Sequence, residues 1–498
     1  MNTNSALFVF DASNKTGGGH AIRCCAIAEE LQTQNWNNTL LCSSESFDFM
    51  PHLNKVFGEI ANCPNSFEAI KSTLEEKRKK YDLLIIDSYN ISYEVEILIG
   101  SYADRILIVD DLADKKHACT NIININPVYK YSDYSSFIPE KRDVLIGPQY
   151  AILRKQFIKI REESISYRKN NSNKVDNILV VFGASDPNEI LEPVLRSINE
   201  SKFDGVVNVL SGLTQYKNIN IEEIISSKNI KVILHSFIKN ISEKMMEADL
   251  CIGSSGTLSW ERSCMGLPSI IIQTAENQKS TAEYLDEYGA AINLGKFQNI
   301  MSGYSVLKDK INHLISDDVE RNNMKNKCYS LVDGRGVRRI VMQLFPYLAK
   351  NKKIVSLRPA IQSDSDMIFT WQSNKRTRKY FNNPEIPEKS EHETWLKKKL
   401  SDYNCHLNII EYDNFSVGVV KLDKISEEKY ELSIYLDEPY YGFGIATAAL
   451  NTLKYMYREY CLIANVSSKN ERSKKLFISS GFIKKNNTYV YKQEEDSL

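Results

Sequence analysis

Residues 8–24, Phe8-Val-Phe-Asp-Ala-Ser-Asn-Lys-Thr-Gly-Gly-Gly-His-Ala-Ile-Arg-Cys24, constrain the fold more than any other stretch. Leu7–Phe10 is a short apolar run of the kind that forms a buried strand. Asp11–Gly19 carries Asn, Ser and three consecutive glycines, so the backbone turns there. From His20 the spacing turns helical, with Ile22, Cys25, Ala26, Ala28 and Leu31 returning to one face. Without side chains at Gly17, Gly18 and Gly19, a diphosphate or sugar can approach the helix N-terminus, where free N–H groups and the dipole favour anions. An imidazole in that first turn, His20, is a candidate proton acceptor, and Arg23 lies one turn on along the same face. A glycine run alone is also what a surface turn or an ordinary βα loop uses; His20 and Arg23 beside it favour a ligand site. No G-x-G-x-x-G is present, so this is not a dinucleotide fingerprint.

The alternation begun there continues. Asn38–Cys42, Leu83–Ile86, Arg105–Val109 and Ile122-Ile123 are strand candidates, and such continuous apolar runs suit a parallel sheet covered on both faces. Asp87-Ser88-Tyr89 and Asp110-Asp111 follow two of these runs, at the carboxyl ends where open α/β sheets place ligands; helix capping is the plainer reading of Asp87 and Asp111. The polar segment Ser164–Asn177 predicts a hinge. Strand candidates resume at Ile178–Phe182, Val206–Leu210, Lys231–Leu234, Leu250–Ile252 and Pro268–Ile272. Two further loops, Gly183–Asn188 and Gly253–Thr257, have phosphate-loop chemistry, and the second opens a helix through Trp260-Glu261-Arg262. Residues 349–355 read as a basic linker. Beyond it Leu357–Pro359 starts a strand, and His406–Glu411, Ser416–Leu422 and Tyr430–Leu436 alternate with period two, as in an antiparallel sheet. Tyr440–Ala446 opens another helix. Ile463–Val466, a helix over Asn470–Ser480 and Gly481-Phe482 complete the pattern. The domains expected are 1–163, 164–348 and 356–494.

A length of 498 residues is compatible with roughly three domains, each able to bury its own core. The 63 Lys and Arg balance 63 Asp and Glu, so no global field draws the chain to nucleic acid or membrane. No segment approaches the ~20 apolar residues of a membrane span, and Met-Asn-Thr-Asn-Ser runs straight into a strand, unlike a signal peptide. The 10 cysteines include no C-x-x-C pair and read as reduced thiols of a cytoplasmic protein. Cys24 and Cys25 read as small core residues, and no zinc or iron constellation is evident.

Several of these pieces together carry a resemblance. Asp11-Ala-Ser…Gly-Gly-Gly-His20-Ala-Ile-Arg23-Cys, Asp87-Ser-Tyr89, Asp110-Asp-Leu112, Gly147-Pro-Gln-Tyr150 with Leu153-Arg154, Gly183-Ala-Ser-Asp-Pro187, Ser255-Gly-Thr…Trp260-Glu261 and Ala275-Glu-Asn-Gln278 occur in order. Residues 1 to about 348 thereby resemble the UDP-2,4-diacetamido-2,4,6-trideoxy-β-L-altropyranose hydrolases of pseudaminic acid biosynthesis, which have the MurG-like GT-B fold. Residues 356 to about 493 resemble GNAT-superfamily N-acetyltransferases, whose acetyl-CoA loop Arg/Gln-x-x-Gly-x-Gly/Ala reads here Tyr441-Gly-Phe-Gly444-Ile-Ala446. The later segment of that family reads Asn470-Glu-Arg-Ser473-Lys-Lys-Leu-Phe477…Gly481-Phe482, with Phe477 where a Tyr often protonates the departing thiolate. The fold class implied is α/β: two Rossmann-like lobes in GT-B arrangement, followed by an α+β GNAT domain.

The resemblance implies a bifunctional enzyme that N-acetylates the 4-amino group of a UDP-linked amino-dideoxy sugar and hydrolytically removes UDP. His20 matches the catalytic histidine of the hydrolases and is the expected base for the attacking water. Ser255, Gly256 and Thr257 would stabilise the leaving diphosphate through their amides. Glu261 resembles the GT-B acid that holds the ribose diol, against the plain reading of an exposed helix Glu. Phe237 and Ile238 are expected to flank uracil, and Asn277 and Gln278 to meet sugar or phosphate. Gly17, Gly18, Gly19, Arg23, Asp87, Tyr89 and Ser185 complete the expected UDP-sugar site. Leu436, Gly442, Phe443, Gly444, Ile445, Ala446, Asn470 and Ser473 are the expected acetyl-CoA contacts. Glu431 is the expected base of acetyl transfer, with Tyr435, Tyr440 and Tyr441 as substitutes. Acetyl-CoA is the expected cosubstrate and no metal is called for. Partners reduce to these small molecules, with weak homo-oligomerisation left open. The rival readings are a MurG-like glycosyltransferase, a protein N-acetyltransferase in the C-terminal half, and a degenerate binding module there.

Overall fold

The structure is a computed structural model. It describes all residues except 1–3, 11, 14–17, 64–65, 140–141, 172–173, 184–188, 211–219, 227–228, 236–237, 239, 299–304, 382, 487 and 494–498. The chain divides into two compact units, Met1–Val337 and Arg338–Leu498.

The first unit holds two parallel sheets. Strands β1 (Ser5–Phe10), β2 (Asn37–Cys42), β3 (Glu59–Asn62), β4 (Tyr81–Asp87), β5 (Ala103–Val109), β6 (Asn121–Asn124) and β7 (Asp143–Ile146) form the first, in the order β3-β2-β1-β4-β5-β6-β7. Strands β8 (Asn177–Val181), β9 (Gly205–Leu210), β10 (Ile230–His235), β11 (Leu250–Gly253), β12 (Ser269–Gln273) and β13 (Ile292–Lys296) form the second, in the order β10-β9-β8-β11-β12-β13. Their central strands are buried on both faces: all six residues of β1 and all five of β12 are buried, as the uninterrupted apolar runs require. Strand order reverses between β1 and β4 and again between β8 and β11. A crevice opens at the carboxyl ends of the strands at such switch points, and ligands of open α/β sheets bind there. Phe10 is in register with Asp87, and Val181 with Gly253, so both reversals end on residues already singled out.

The polar segment expected to be a hinge is instead largely helix. Gln156–Asn170 is one continuous helix in which Ser164 and Arg168 are buried. Arg161 donates to the carbonyls of Cys264, Val332 and Tyr329, and Arg168 to those of Met265, Ala248 and Met245. Charge-assisted bonds of this kind contribute about 1.5–3 kcal/mol each. Polar residues here bind the helix to the second sheet's lobe rather than loosen it, and the helix crosses the expected 163/164 boundary.

The second unit is built on a mixed sheet of β14 (Val355–Pro359), β15 (Cys405–Tyr412), β16 (Phe415–Ser426), β17 (Lys429–Leu436), β18 (Cys461–Asn465), β19 (Ile483–Lys485) and β20 (Thr488–Tyr491), in the order β14-β15-β16-β17-β18-β20-β19. All neighbours are antiparallel except β17 and β18. That parallel pair is in register only over Lys429–Glu431 and Cys461–Ile463. Past Glu431 the remainder of β17 has no partner on β18 among the described residues, so the sheet is open there. The helix Ile445–Met456 starts beside this opening and buries Ile445, Ala448, Ala449 and Leu450 in the core. Residues 349–355 are not a free linker: Ala349 is 5% exposed and belongs to this core, and Leu348 and Ile354 form an antiparallel bridge. Leu357–Pro359, expected to begin a strand, ends β14.

Candidate functional site

The helix Gly19–Gln32 leaves β1 at the first switch point, with Gly18 as its N-cap. His20 and Arg23 on it both turn toward the end of β4. His20 Nδ1 lies 2.5 Å from Asp87 Oδ1. Arg23 grips the same carboxylate through Nε (2.9 Å to Oδ2) and Nη2 (2.8 Å to Oδ1). It takes Asp111 with its remaining donors, Nη1 at 2.8 Å and Nη2 at 3.0 Å. A carboxylate only accepts, so the ring proton is assigned to Nδ1 and donated to Asp87. Nε2 of the neutral ring is then the nitrogen with the lone pair. Arg23 Nη2, 3.1 Å from Nδ1, only donates and competes for the same carboxylate.

Asp87 is fully buried and His20 is 6% exposed, so this is an oriented imidazole with a single open edge. Partial desolvation acts to raise the Asp111 pKa, but the charge and hydrogen bonds of Arg23 prevail and hold it below the usual carboxylate range. Tyr89 donates its hydroxyl to Asp111 Oδ2 at 2.8 Å. Its ring meets the His20 ring edge-on at 4.8 Å, walling the imidazole while remaining 42% exposed itself.

The loop after β11 faces this helix start. A Cβ placed on Gly19 would stand 3.8 Å from Thr257 Oγ1, so the two loops share one site. Thr257 is the N-cap of the helix Leu258–Cys264. Glu261, one turn in, is 2% exposed, and its Oε1 accepts from Arg154 Nη2 at 2.8 Å. Glu261 Oε2 is buried without a partner among the described residues. A buried carboxylate oxygen in that condition costs free energy unless something donates to it.

In the second unit, the expected acetyl-CoA residues converge on one cavity of about 940 Å³. Leu436, Gly442, Gly444, Ile445, Ala446, Asn470 and Ser473 all line it. Gly442 (φ +89°) and Gly444 (φ +83°) have left-handed backbones, which glycine adopts without strain. Glu431 lines the same cavity and accepts from Asn465 Nδ2 at 2.9 Å. Asp423 lies there too but is held by Lys399 at 2.6 Å and Lys421 at 2.5 Å. Tyr435 lines the cavity, and burial pushes its phenol up, so it is a neutral hydroxyl.

Several expectations need correction. Arg23, expected at the UDP-sugar site, directs its donors at Asp87 and Asp111, and Asp87 is wholly buried against His20 and Arg23. Asp87 and Asp111 do not cap helices. Asp110, beside them, braces its own loop through the Leu112 and Ala113 amides and Tyr134. Ser255 Oγ donates to the Gln278 carbonyl, and the Gln278 side chain folds onto Thr274, leaving backbone groups rather than these side chains for a ligand. Asn277 is exposed and Ile238 half-buried. Gly17, Ser185 and Phe237 lie outside the described residues. Phe443 is 42% exposed and stands outside the cavity lining; Tyr440 packs edge-on against Tyr412 instead. Phe477 packs on Phe482 and Tyr489 and brings no hydroxyl.

The expected residue set lacked Asp111 and Arg154. Asp111 stood in the sequence at a strand's carboxyl end and Arg154 within a motif, but their pairing with Arg23 and Glu261 was not visible there. Among the described residues, one grouping, His313, Asp317 and Glu320, has metal-ligand spacing; it contains none of the candidate catalytic residues.

Residues 178–340 match the model of the glycosyltransferase family 28 C-terminal domain, and residues 355–483 that of the acetyltransferase (GNAT) domain. The chain is 24% identical over 504 residues to an uncharacterized protein of Methanocaldococcus jannaschii, covering 97% of this chain and 98% of the relative. It is 28% identical over 292 residues to the UDP-2,4-diacetamido-2,4,6-trideoxy-beta-L-altropyranose hydrolase of Campylobacter jejuni, covering 57% of this chain and 96% of the relative. It is 24% identical over 333 residues to the spore coat polysaccharide biosynthesis protein SpsG of Bacillus subtilis, covering 66% and 94%. Among solved structures, MurG of Acinetobacter baumannii aligns with a TM-score of 0.51 at 14% identity, over 68% of this chain and 99% of MurG. The resemblances read from the sequence therefore hold. A GT-B, nucleotide-sugar-related half precedes a GNAT acetyltransferase domain. No helix among the described residues is long and apolar enough to cross a membrane.

Proposed function

We propose that the N-terminal half hydrolyses a UDP-linked diacetamido sugar and that the C-terminal half makes this substrate by N-acetylating the 4-amino group of its UDP-linked precursor. The observation that carries the hydrolase reading is the buried Asp87–His20 pair, with His20 Nε2 left as the open base. It is supported by the similarity to a hydrolase named for such a substrate.

In the proposed step, His20 Nε2 takes a proton from water as the water oxygen bonds to the anomeric carbon. The bond from that carbon to the β-phosphate oxygen breaks, and UDP leaves as an anion. General-base assistance of this kind contributes typically 10²–10⁴-fold. Asp87 holds the tautomer and stabilises the imidazolium that forms, as the carboxylate of a Ser-His-Asp triad does. The leaving group is already a good anion, so amides at Gly256 and Thr257 assist by charge stabilisation rather than protonation. Glu261 Oε2 is suited to accept from a ribose hydroxyl.

In the C-terminal half, Glu431 takes the proton from the acceptor ammonium, directly or through water. The neutral amine then attacks the thioester carbonyl of acetyl-CoA, and CoA leaves as thiolate. As the C–S bond breaks, the nitrogen loses its second proton, which the thiolate takes up; the net effect is that the acetyl group passes to nitrogen, CoA ends as the thiol and one proton is released. The experiment is incubation of the full chain with the UDP-4-amino sugar, with and without acetyl-CoA, following UDP by mass spectrometry. Acetylation followed by UDP release supports both assignments; acetylated substrate that releases no UDP in water alone contradicts the hydrolase assignment and favours the glycosyltransferase reading, in which the sugar passes from UDP to an acceptor.

A further inference from the structure

The residues joining the two halves contribute to the cofactor cavity. Leu348 and Ile354 bridge and the Ala349 N–H donates to the Lys353 carbonyl at 2.8 Å, closing a tight hairpin around Lys350. The Lys350 N–H donates in turn to the Phe443 carbonyl at 2.9 Å, tying the hairpin to the glycine loop. A Cβ placed on Gly444 would stand 2.9 Å from Lys350 Cγ and 3.3 Å from its backbone nitrogen. The stem of Lys350 therefore lies on Gly444, and the residue lines the 940 Å³ cavity together with Gly442, Ile445 and Ala446.

Charge is short at this point. Tyr441, which precedes Gly442, brings none. The helix Ile445–Met456 has no acidic residue in its first turn to use its amides. Of the cavity's other cations, Lys421 is paired with Asp423, Arg376 with Glu438, Arg378 donates to the Glu385 carbonyl, and Lys379 and Arg472 lie over the Tyr380 and Tyr441 rings; Lys475 lines the cavity without an ion pair among the described residues, but the three atoms nearest a Cβ placed on Gly444 all belong to Lys350. The Lys350 ammonium makes no ion pair or hydrogen bond among the described residues.

We propose that Lys350, which lies outside the matched acetyltransferase segment 355–483, binds the pyrophosphate of acetyl-CoA and supplies the charge that Tyr441 does not. The proposal rests on the acetyltransferase reading. It makes the joining segment part of the cofactor site.

The test is calorimetric binding of CoA and of 3′-dephospho-CoA to the full chain and to its Lys350→Gln and Lys350→Arg variants. Lys350 is exposed, and unchanged thermal unfolding confirms that the variants fold. Lys350→Gln should weaken both ligands by about 5–20-fold, the lower part of the range for a charge-assisted contact at an exposed site. Lys350→Arg should stay within about threefold of the parent, and the Gln penalty should shrink as salt screens the charge. Equal affinity of parent and Lys350→Gln overturns the proposal alone. A penalty seen with CoA but absent with 3′-dephospho-CoA overturns the choice of phosphate. A parent that binds neither ligand overturns the acetyltransferase reading along with it.

Discussion

His20 Nδ1 and Asp87 Oδ1 are 2.5 Å apart, both buried, and Arg23 donates to both oxygens of the same carboxylate. Asp87 acts only through His20 in this arrangement. Asp87→Asn should therefore lower kcat for UDP release by about 10²–10⁴-fold, the range of a lost oriented base, and leave KM nearly unchanged. Steady-state kinetics check this; a loss confined to KM would mean that Asp87 touches substrate.

Glu261→Gln tests the unpartnered oxygen. It keeps the shape but removes the charge, and UDP affinity should fall by roughly 1.5–3 kcal/mol, while CoA affinity is unaffected. Calorimetry with UDP reads it directly. Because Arg154 loses its ion-pair partner as well, a thermal melt of the same variant separates a binding loss from a folding loss.

Acid stability follows from Asp111. Its folded pKa lies below the ordinary value, because Arg23 outweighs desolvation. The linkage is thus fully stabilising above the unfolded pKa of about 3.9. It is lost as pH falls below that value and through the depressed folded pKa. The stability gap between parent and Asp111→Asn in denaturant melts should be constant from about pH 5.5 to 7 and narrow below about pH 4. A gap that widens toward acid would contradict the Arg23 pairing.

What the sequence made legible follows burial. The central strands β1, β4, β8, β11 and β12 announce themselves as apolar runs because both faces are covered. Of the five strands that escaped notice, β3, β7, β13 and β19 are at sheet edges, where exposed positions break the run, and β3 reads Glu-Ile-Ala-Asn with both ends exposed; the fifth, β20, lies between β18 and β19 but is only four residues long. The Ser164–Asn170 stretch misled for a related reason. Arg168 is polar in composition yet buried, since its donors satisfy helix-end and loop carbonyls that no local pattern reveals. The placement of His20 and Glu261 in the first turns of the helices that follow the two loops was legible because motif spacing carries it. The pairing of Asp111 with Arg23 and the tie of Lys350 to the glycine loop were not: each contact is made to a residue far away in the chain.

The same observation moves the point at which the chain can be divided. Arg338 donates to the Met456 carbonyl at 2.9 Å and to Glu459 at 2.7 Å, and Ala349 is in the core of the second unit. A fragment 338–498 should unfold at higher temperature than 354–498, which lacks both. Circular dichroism melts decide it; identical midpoints would show that residues 338–353 are dispensable to that fold.

The most direct test of the central claim is UDP release in oxygen-18 water from the UDP-linked diacetamido sugar, comparing the parent with His20→Asn. Attack at the anomeric carbon predicts that the parent releases UDP free of the heavy isotope, and that His20→Asn still binds UDP but releases almost none. Heavy oxygen in the released UDP, or equal rates from parent and variant, would contradict the account.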